Sequence, residues 1–440
     1  MEFISTRNPS LKATFREAVF KGLAPDGGLY HPLETPDLGD LFLSFQHSHT
    51  FPQIAEQILL QLFPSEIPPA VAHQIAQRAF TFTPILRNIS DHNGSLKILE
   101  LFHGPSCAFK DFGACFLAAI MEEFLNDESS HAIILTATSG DTGSAVARAF
   151  YRRKHIDVVI LYPSGRVSPL QEKQLTTVGG NVSALEVKGS FDDCQRMVKE
   201  AFVDPELNEK LRLTSANSIN IGRLIPQAFY YIWAYAQLAP EEKKKLIFCV
   251  PSGNFGNLTA GVLAWQWGLP VKKFIAATNI NKVVPEYLES GIYKPRASLQ
   301  TLSNAMDVGN PSNFERLNRI FQDDYQQMRE MLEGIWITDK DTLSTIRKYY
   351  TRQKLFLDPH TALGVCASER FMQSIPAFED CIVTLGTAHP GKFLEVVEEA
   401  TGKQPPLPKQ LQEALELPKQ AIPVDPTLNA LKHFLLERFG

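Results

Sequence analysis

From Leu96 onward, short apolar runs rich in β-branched residues alternate with amphipathic helical stretches, and loops rich in Gly, Ser or Asn join them. Parallel strands need crossover connections, which helices usually supply, so this alternation predicts an α/β fold with parallel sheets flanked by helices. Ligands bind beyond the carboxyl ends of the strands in such sheets, and a functional site is therefore expected in the loops there. The clearest runs begin at Ala132, Val158, Val182, Leu246 and Cys381.

The first ninety or so residues have a different pattern. Thr14 and Glu17 are spaced as a capping box at the start of a short helix, which Gly22 would end. Residues 51–63 and 69–80 are apolar at helical spacing and predict two further helices. This part of the chain is therefore predicted to be a small, mainly helical domain.

A chain of 440 residues is too long for a single core, so more than one domain is expected. We predict an N-terminal domain over residues 1–95, an α/β lobe over 96–225 and a larger α/β lobe over 226–440. The lobe over 96–225 would carry a reactive lysine, and the lobe over 226–440 would carry a phosphate-binding loop. The Pro-rich segment 404–423 predicts a surface extension before a last helix.

Charge, hydropathy and cysteine spacing exclude several classes of partner. The formal charge is -5, from 43 basic and 48 acidic residues without a long basic block, so no nucleic acid is expected. No window approaches about eighteen uninterrupted apolar residues, and the N-terminus lacks the apolar core of a signal peptide. A cytoplasmic protein without a membrane partner is therefore expected. The six cysteines are scattered, without CxxC pairs or nearby His, so neither a metal site nor a disulfide framework is expected.

One lysine stands among apolar and aromatic residues. Lys110 lies in the run FHGPSCAFKDFG at positions 102–113, near Phe102, Phe109 and Phe112. Burial disfavours a charged ammonium and frees a lone pair that can attack a carbonyl carbon. The alternative is a lysine whose stem packs at a helix start while its head stays in water, and the segment alone favours that alternative.

Two of the strand-end loops are suited to anions. TATSGDTGSA, at 136–145, opens a helix, where free N–H groups and the helix dipole favour a carboxylate or phosphate, although an ordinary helix cap would look the same. PSGNFGN, at 251–257, has glycines that let the backbone approach a ligand and present its N–H groups as a nest. It fits neither the P-loop nor the dinucleotide pattern, so the two commonest kinds of nucleotide-binding loop are excluded.

The remaining polar segments supply different groups. In LGTAHPGKF, at 385–393, Thr387 follows a strand and can offer a neutral hydroxyl to a ring nitrogen, whereas His389 is expected to cap a helix rather than act as an acid or base. SANSINIGRLIPQ, at 215–227, collects Asn217, Ser218 and Arg223, and Arg223 is a natural fork for an oxyanion. DPHTALG, at 358–364, is a further polar segment.

A reactive lysine, a phosphate cradle, a neutral hydroxyl and a separate arginine-containing anion site together suit pyridoxal 5'-phosphate and a phosphorylated amino acid. The chain resembles the threonine synthase family, in the branch typical of many bacteria and fungi, over nearly its whole length. The segments that carry the resemblance are STR, GLAPDGGLYHP, HGPSCAFKDFG, TATSGDTGSA, SANSINIGRLIPQ, PSGNFGN, DPHTA and TAHPGKF, in that order.

This resemblance implies a fold type II pyridoxal-phosphate enzyme, similar to the tryptophan synthase β subunit. The enzyme would convert O-phospho-L-homoserine and water into L-threonine and phosphate. Lys110 would bind the cofactor covalently and act as the catalytic base, Thr387 would bond the pyridine nitrogen, and Asp141 would lie near the phenolic oxygen. The cofactor phosphate is assigned to Gly253, Asn254, Phe255, Gly256 and Asn257. The substrate carboxylate is assigned to Ser139, Gly140 and Thr142, and its phosphate to Asn217, Ser218 and Arg223, with Asn254 shared between the two ligands.

Two alternatives and two departures accompany the resemblance. A related phospholyase would release 2-oxobutyrate, ammonia and phosphate instead of threonine. A non-catalytic relative is the alternative from another class, and the joint presence of Lys110, the PSGNFGN loop and Arg223 argues against it. Ser106 and Cys107 differ from the commoner residues of the family beside the lysine. The resemblance also implies a monomer or a weak homodimer.

Overall fold

The computed structural model describes residues 1–90, 95–126, 131–138 and 140–440. The strands in these ranges are β1 (Phe3–Ser5), β2 (Lys12–Ala13), β3 (Tyr30–Pro32), β4 (Ile85–Asn88), β5 (Ser95–Glu100), β6 (Ala132–Ala137), β7 (Ile156–Pro163), β8 (Val182–Val187), β9 (Leu213–Thr214), β10 (Leu246–Pro251), β11 (Lys273–Thr278), β12 (Leu332–Trp336), β13 (Cys381–Gly386) and β14 (Ile422–Val424).

The helices in the same ranges are α1 (Phe15–Lys21), α2 (Gly39–Ser44), α3 (Phe51–Leu62), α4 (Pro69–Ala79), α5 (Lys110–Leu125), α6 (Asp141–Phe150), α7 (Pro169–Thr176), α8 (Phe191–Val203), α9 (Pro205–Lys210), α10 (Ile221–Gln237), α11 (Pro240–Lys243), α12 (Gly256–Gln266), α13 (Val283–Ser290), α14 (Phe314–Ile320), α15 (Tyr325–Met331), α16 (Asp339–Gln353), α17 (Pro359–Ser374), α18 (Leu394–Thr401), α19 (Lys409–Glu416) and α20 (Leu428–Phe439). Short 3₁₀ turns occupy Asn304–Met306 and Pro390–Lys392.

Two largely parallel sheets organise the main body of the chain. One has the strand order β12-β11-β10-β13-β5-β4 and is parallel except for the edge pair β4 and β5. The other has the order β14-β8-β7-β6-β9 and is parallel throughout. The prediction of parallel sheets flanked by helices is confirmed. Strands β6, β10 and β13 are buried along their whole length, as expected when helices cover both faces of a sheet.

The N-terminal region contains the predicted helices and also a small sheet that the sequence pattern did not predict. Thr14 and Glu17 form the expected capping box of α1, which Gly22 ends, and α3 and α4 occupy the predicted positions. Strands β1 to β3 form an antiparallel sheet in the order β2-β1-β3. Strands of two or three residues are too short to produce a clear period of two, so pattern analysis misses them.

The predicted domain division remains a prediction. The six-stranded sheet groups residues 85–100 with residues 246–386, so the chain enters this sheet before it builds the five-stranded one. No described helix has the length and apolar character needed to cross a membrane.

The Pro-rich segment 404–423 is mostly exposed and precedes the last helix, α20, as predicted, but it also contains a helix and part of a strand. Helix α19 within it buries Leu411, which packs beside Cys107 and Leu170. The segment then leads into β14, which adds a parallel edge strand to β8. The C-terminal part of the chain therefore packs against the loop that precedes Lys110.

Helices α5 and α10 bring two predicted site residues together. Lys110 is the first residue of α5, and Arg223 lies in the first turn of α10. The two helices approach closely at Gly113, where a Cβ atom would lie 2.7 Å from the carbonyl oxygen of Arg223. The small residue at 113 thus permits the approach that places the lysine beside the arginine.

Gly113→Ala should lower the free energy of unfolding by about 1 to 3 kcal/mol, the usual cost of overpacking. The added carbon would collide with backbone, which cannot turn aside as a side chain can. Gly222→Ala is the matched control in the same helix pair, because its Cβ would meet side-chain atoms, those of Leu117, Val19 and Asn220, and no backbone atom as close. Urea titration of both variants measures the difference. Equal losses of stability would contradict the proposed backbone contact.

Candidate active site

A cavity lies beyond the carboxyl ends of strands from both parallel sheets. Its wall is built from the loops after β6, β10 and β13 and from the first turns of α5 and α10. This is the place predicted from the strand-end loops. The predicted site residues that line it are Lys110, Asp141, Thr142, Ser218, Arg223, Gly253, Asn254, Phe255, Gly256, Asn257 and Thr387.

Two of the described predicted residues, Gly140 and Asn217, are not part of this lining. Gly140 directs its N–H group to the Thr138 hydroxyl oxygen at 3.0 Å. The Asn217 side-chain oxygen accepts a hydrogen bond from the Thr136 hydroxyl group on β6. Ser139 lies outside the described residues. The assignments of these three residues to the substrate therefore stay predictions.

Lys110 is held at the cavity wall by backbone pairing around it. The Phe109 N–H group donates to the Thr387 carbonyl oxygen at 2.9 Å, and Ala108 forms an isolated antiparallel bridge with Ala388. Burial lowers the pKa of Lys110 to about 8, and the charges of Lys392 and Arg223 act in the same direction against that of Asp141. A lysine with this pKa can both lose and regain a proton near neutral pH.

The loop between β10 and α12 presents a row of unused backbone donors. Within the described ranges, the N–H groups from Gly253 to Asn257 make no hydrogen bond to protein. Phe255 adopts a left-handed conformation, with φ of 61°, just before α12 begins. A Cβ at Gly253 would lie 2.8 Å from both the Ala305 carbonyl oxygen and Met306 Cα, so only glycine fits the wall there. Converging N–H groups at a helix start form an anion cradle.

The start of α6 carries the carboxylate of the site. Asp141 Oδ1 lies 2.7 Å from Lys392 Nζ and accepts a second bond from Gln171 Nε2 at 3.1 Å. Burial alone would raise the pKa of Asp141, but the charges of Lys392 and Lys110 outweigh it and hold the pKa below its ordinary value. Asp141 is therefore ionised, and Thr142 follows it on the cavity wall.

Arg223 brings a buried positive charge to the cavity wall beside Lys110. Its Nη1 donates to the Ala216 carbonyl oxygen at 2.5 Å and its Nη2 to the Lys110 carbonyl oxygen at 3.4 Å. Its Nε is buried without a hydrogen-bond partner among the described residues. The predicted oxyanion site thus has a guanidinium that also braces the backbone of Lys110.

Asn254 and Ser218 lie near the cradle and the arginine. The Asn254 side-chain oxygen accepts two bonds from Ser312, which leaves its amide hydrogens available to an anion. Asn313 donates to the Ser218 carbonyl oxygen at 3.4 Å and thereby links the two loops. These contacts support the prediction that both loops face one ligand.

Thr387 and His389 occupy different roles in the loop after β13. Thr387 lines the cavity, and its hydroxyl group donates no bond to any described residue. His389 accepts the Gly391 N–H at 3.0 Å and caps the 3₁₀ turn, as predicted. Burial lowers the pKa of His389 to about 4, which keeps its ring neutral and able to accept this bond.

Sequence reasoning gave no site role to Lys392, Gln171, Gln227 or His360. Gln227 and His360 lie on the cavity wall, and His360 Nδ1 lies 2.9 Å from Asp358 Oδ1. Lys392 and Gln171 do not line the cavity, and both bind Asp141 Oδ1. The only signal in the sequence was the position of Lys392 and His360 in polar segments that follow strands or open helices.

The cavity fits pyridoxal phosphate by the chemistry of its groups. The cavity is lined by the amine of Lys110 with its lowered pKa, by the free N–H groups at 253–257 and by the free hydroxyl group of Thr387. They match the aldehyde, the phosphate and the ring nitrogen of the cofactor. The glycine at 253 matches the close approach that a phosphate requires.

Comparison with known proteins agrees with this chemistry. A family model described as a pyridoxal-phosphate dependent enzyme matches residues 77–385. Models of the threonine synthase N terminus and of the threonine synthase C-terminal region match residues 2–80 and 361–435.

Individual relatives extend over the whole chain. A threonine synthase from Serratia marcescens is 41% identical over 436 residues, which are 99% of both chains. The crystal structure of threonine synthase from Escherichia coli has a TM-score of 0.89 and 40% identity, and covers 100% of both chains. The structure of pyridoxal-phosphate-bound threonine synthase from Brucella melitensis has a TM-score of 0.91 and 34% identity, and covers 100% of this chain and 99% of that one.

These matches confirm the predicted fold type II architecture and pyridoxal phosphate as the cofactor. They extend beyond the shared cofactor-binding fold to the N- and C-terminal regions that are specific to one family. The chain therefore belongs to the threonine synthase family of pyridoxal-phosphate-dependent lyases.

Proposed function

We propose that this chain converts O-phospho-L-homoserine and water into L-threonine and phosphate. The observation that carries the proposal is a cavity with one amine of lowered pKa and two separate anion sites. The first site is the N–H cradle at 253–257, and the second contains Ser218 and Arg223. A cofactor with one phosphate leaves a second site for a phosphorylated substrate.

Lys110 is proposed to anchor the cofactor and then to act as the base. Pyridoxal phosphate, when bound, supplies an aldehyde that links to the substrate amine and a ring that withdraws electrons from its Cα. The freed lysine amine removes the Cα proton and can return it later. Its pKa of about 8 suits both directions of this transfer.

The remaining residues orient the substrate. Thr142 and the start of α6 are proposed to bind the substrate carboxylate, together with Ser139 and Gly140. Arg223, Ser218 and the amide of Asn254 would bind the substrate phosphate, with Asn217 as a further member. Negative charge grows on this phosphate as its bond to Cγ breaks, so a buried guanidinium there stabilises the transition state. A proton is lost from Cβ as the phosphate leaves Cγ. Cγ then gains a proton to become the methyl group, and water adds its hydroxyl group at Cβ.

Thr387 and Asp141 are proposed to contact the cofactor itself. The Thr387 hydroxyl would pair with the ring nitrogen without supplying a negative charge, and Asp141 would lie near the phenolic oxygen. Asn257 would contribute through its backbone N–H, because its side chain is bonded to Pro251 and Leu258.

The cellular setting and assembly state also belong to this proposal. All six cysteines are unpaired, which is typical of proteins in a reducing compartment, and this supports a cytoplasmic location. A monomer or a weak homodimer, with no nucleic-acid or membrane partner, is the proposed state.

Incubation of the purified protein with O-phospho-L-homoserine and pyridoxal phosphate should yield threonine and phosphate in equal amounts. Both products are measured in the same reaction, by amino-acid analysis and by a phosphate assay. L-Homoserine is the matched control substrate, since it lacks the phosphate that the Arg223 site would bind, and it should yield no threonine. Formation of 2-oxobutyrate and ammonia in place of threonine would instead identify the phospholyase.

A further inference from the structure

Lys392 is a second lysine of the site, and it lies behind the cavity wall. Its side chain is 0% exposed. Its Nζ lies 2.7 Å from Asp141 Oδ1 and donates to the Ser106 carbonyl oxygen at 2.9 Å. One ammonium group therefore joins the start of α6 to the loop that leads into Lys110. A buried charge is costly unless it is paired, which makes this arrangement a specific feature of the site.

The contacts of Asp141 are divided between its two oxygens. Oδ1 accepts from Lys392 and from Gln171, whereas no described residue donates to Oδ2. Asp141 also lies on the cavity wall. Both protein contacts are thus made to Oδ1, and Oδ2 remains available to a ligand in the cavity.

We propose that Lys392 is a positioning residue of the reaction: it neutralises and orients Asp141, so that this carboxylate does not hold Lys110 as a permanently paired ammonium. This inference rests on the proposed role of Lys110 as cofactor anchor and base. Lys392 would contact neither the cofactor nor the substrate, because it acts through Asp141.

Several charged or titratable groups lie near Lys110 and Lys392. Asp141 and Arg223 face Lys110, with Lys392 beyond them. The groups near Lys392 or its partner Asp141 are Cys107, Asp111, His360 and His389. Asp111 is a carboxyl group and His389 is neutral, so neither supplies a positive charge beside Asp141 in place of Lys392.

Loss of Lys392 leaves Lys110 beside a carboxylate that has lost its neutralising cation. The charge of Lys392 lowers the pKa of Lys110, and that effect disappears. Asp141, which raises the pKa of Lys110, is then no longer neutralised. A neutral residue at 392 should therefore raise the pKa of Lys110 from about 8 toward its ordinary value of 10.5.

The test measures how fast the full-length protein, freed of cofactor, captures pyridoxal phosphate at different pH values. Borohydride fixes the captured cofactor, and mass spectrometry locates it on the peptide that contains Lys110. The wild-type rate should rise with pH to a midpoint near 8. Lys392→Met should move this midpoint upward by about 1 pH unit, the lower end of the range for loss of a neighbouring charge, because burial, the largest cause of the lowered pKa, remains. At neutral pH, capture should slow by about tenfold.

Matched variants separate charge from packing. Lys392→Arg keeps the charge and should keep the wild-type midpoint. Gln171→Leu removes the other donor to Asp141 Oδ1 without changing charge and should also keep it. Asp141→Asn removes the carboxylate but leaves Lys392, so its midpoint should move downward. The double variant Asp141→Asn/Lys392→Met removes the whole ion pair and should return the midpoint to within about half a unit of wild type.

The outcomes distinguish this inference from the proposed function. If the fixed cofactor is absent from the Lys110 peptide of the wild type, the proposed function fails. If the cofactor is on Lys110 but Lys392→Met leaves the midpoint unchanged or lowers it, the inference about Lys392 is wrong. Should Lys392→Met not fold, an upward or unchanged midpoint in Asp141→Asn overturns the inference equally.

Discussion

Lys110→Ala should abolish threonine formation, with a fall in kcat of at least about 10³-fold. Loss of a positioned general base alone costs about 10² to 10⁴-fold, and the variant would also lose its covalent link to the cofactor. No described lysine other than Lys110 lies on the cavity wall, so no other amine is placed to substitute. Product formation and borohydride fixation of the cofactor, measured on the same preparation, check both losses.

Lys409→Ala is the control for Lys110→Ala. Lys409 also begins a helix, but its side chain is 85% exposed and lies outside the cavity, so the change should leave activity unaltered. Lys110→Ala should not reduce the thermal stability, because it removes a charge that burial and two nearby cations disfavour. Full activity in Lys110→Ala, or a loss explained by unfolding, would refute the assigned role.

The position of the site was predictable from the sequence because it follows from topology. Parallel strands of one sheet place their carboxyl ends on one edge, so the loops after β10 and β13 were expected to lie together once these strands were recognised. Strand β6 belongs to the other sheet, and the meeting of its loop with those two does not follow from this rule. The cradle was also predictable, since Gly253 precedes helix α12 and Gly256 begins it. Strand recognition in turn depended on the strong apolar character of fully buried strands.

The details that the sequence did not predict depend on side-chain direction and on pairs distant in the chain. The side-chain oxygen of Asn217 accepts a hydrogen bond from Thr136 on β6, a contact that the sequence does not indicate. Lys392 was seen in the sequence as one cation after a strand, and nothing in its neighbours indicated that Asp141 would be its partner. Such pairs form only when two strand-end loops from different sheets meet.

Short or atypical elements were also missed, for a different physical reason. The strands of the N-terminal sheet have two or three residues, which leaves no periodic signal. Helix α19 and β14 are flanked by prolines, whose abundance suggested an irregular extension. Tertiary contacts, such as that of Leu411 with Cys107, determine these elements more than local pattern does.

Arg223→Met should lower kcat/KM for O-phospho-L-homoserine by about 10² to 10³-fold, the range for loss of one charged group that stabilises a leaving anion. Arg223→Lys should fall between this variant and the wild type, because it keeps the charge but loses the fork that spans the Ala216 and Lys110 carbonyl oxygens. Inorganic phosphate should inhibit the wild type competitively and should lose this effect in Arg223→Met. Steady-state kinetics with added phosphate measure both quantities.

Arg316→Met separates phosphate binding from bracing of the loops. Arg316 is also fully buried and donates to the Ile219 carbonyl oxygen at 2.8 Å, in the loop that carries Ser218, but it does not line the cavity. Its loss should lower stability while competitive inhibition by phosphate persists. If Arg316→Met and Arg223→Met abolish that inhibition equally, Arg223 acts by holding the loop in place. If only Arg223→Met abolishes it, while cofactor capture at Lys110 continues, the guanidinium binds the substrate phosphate directly.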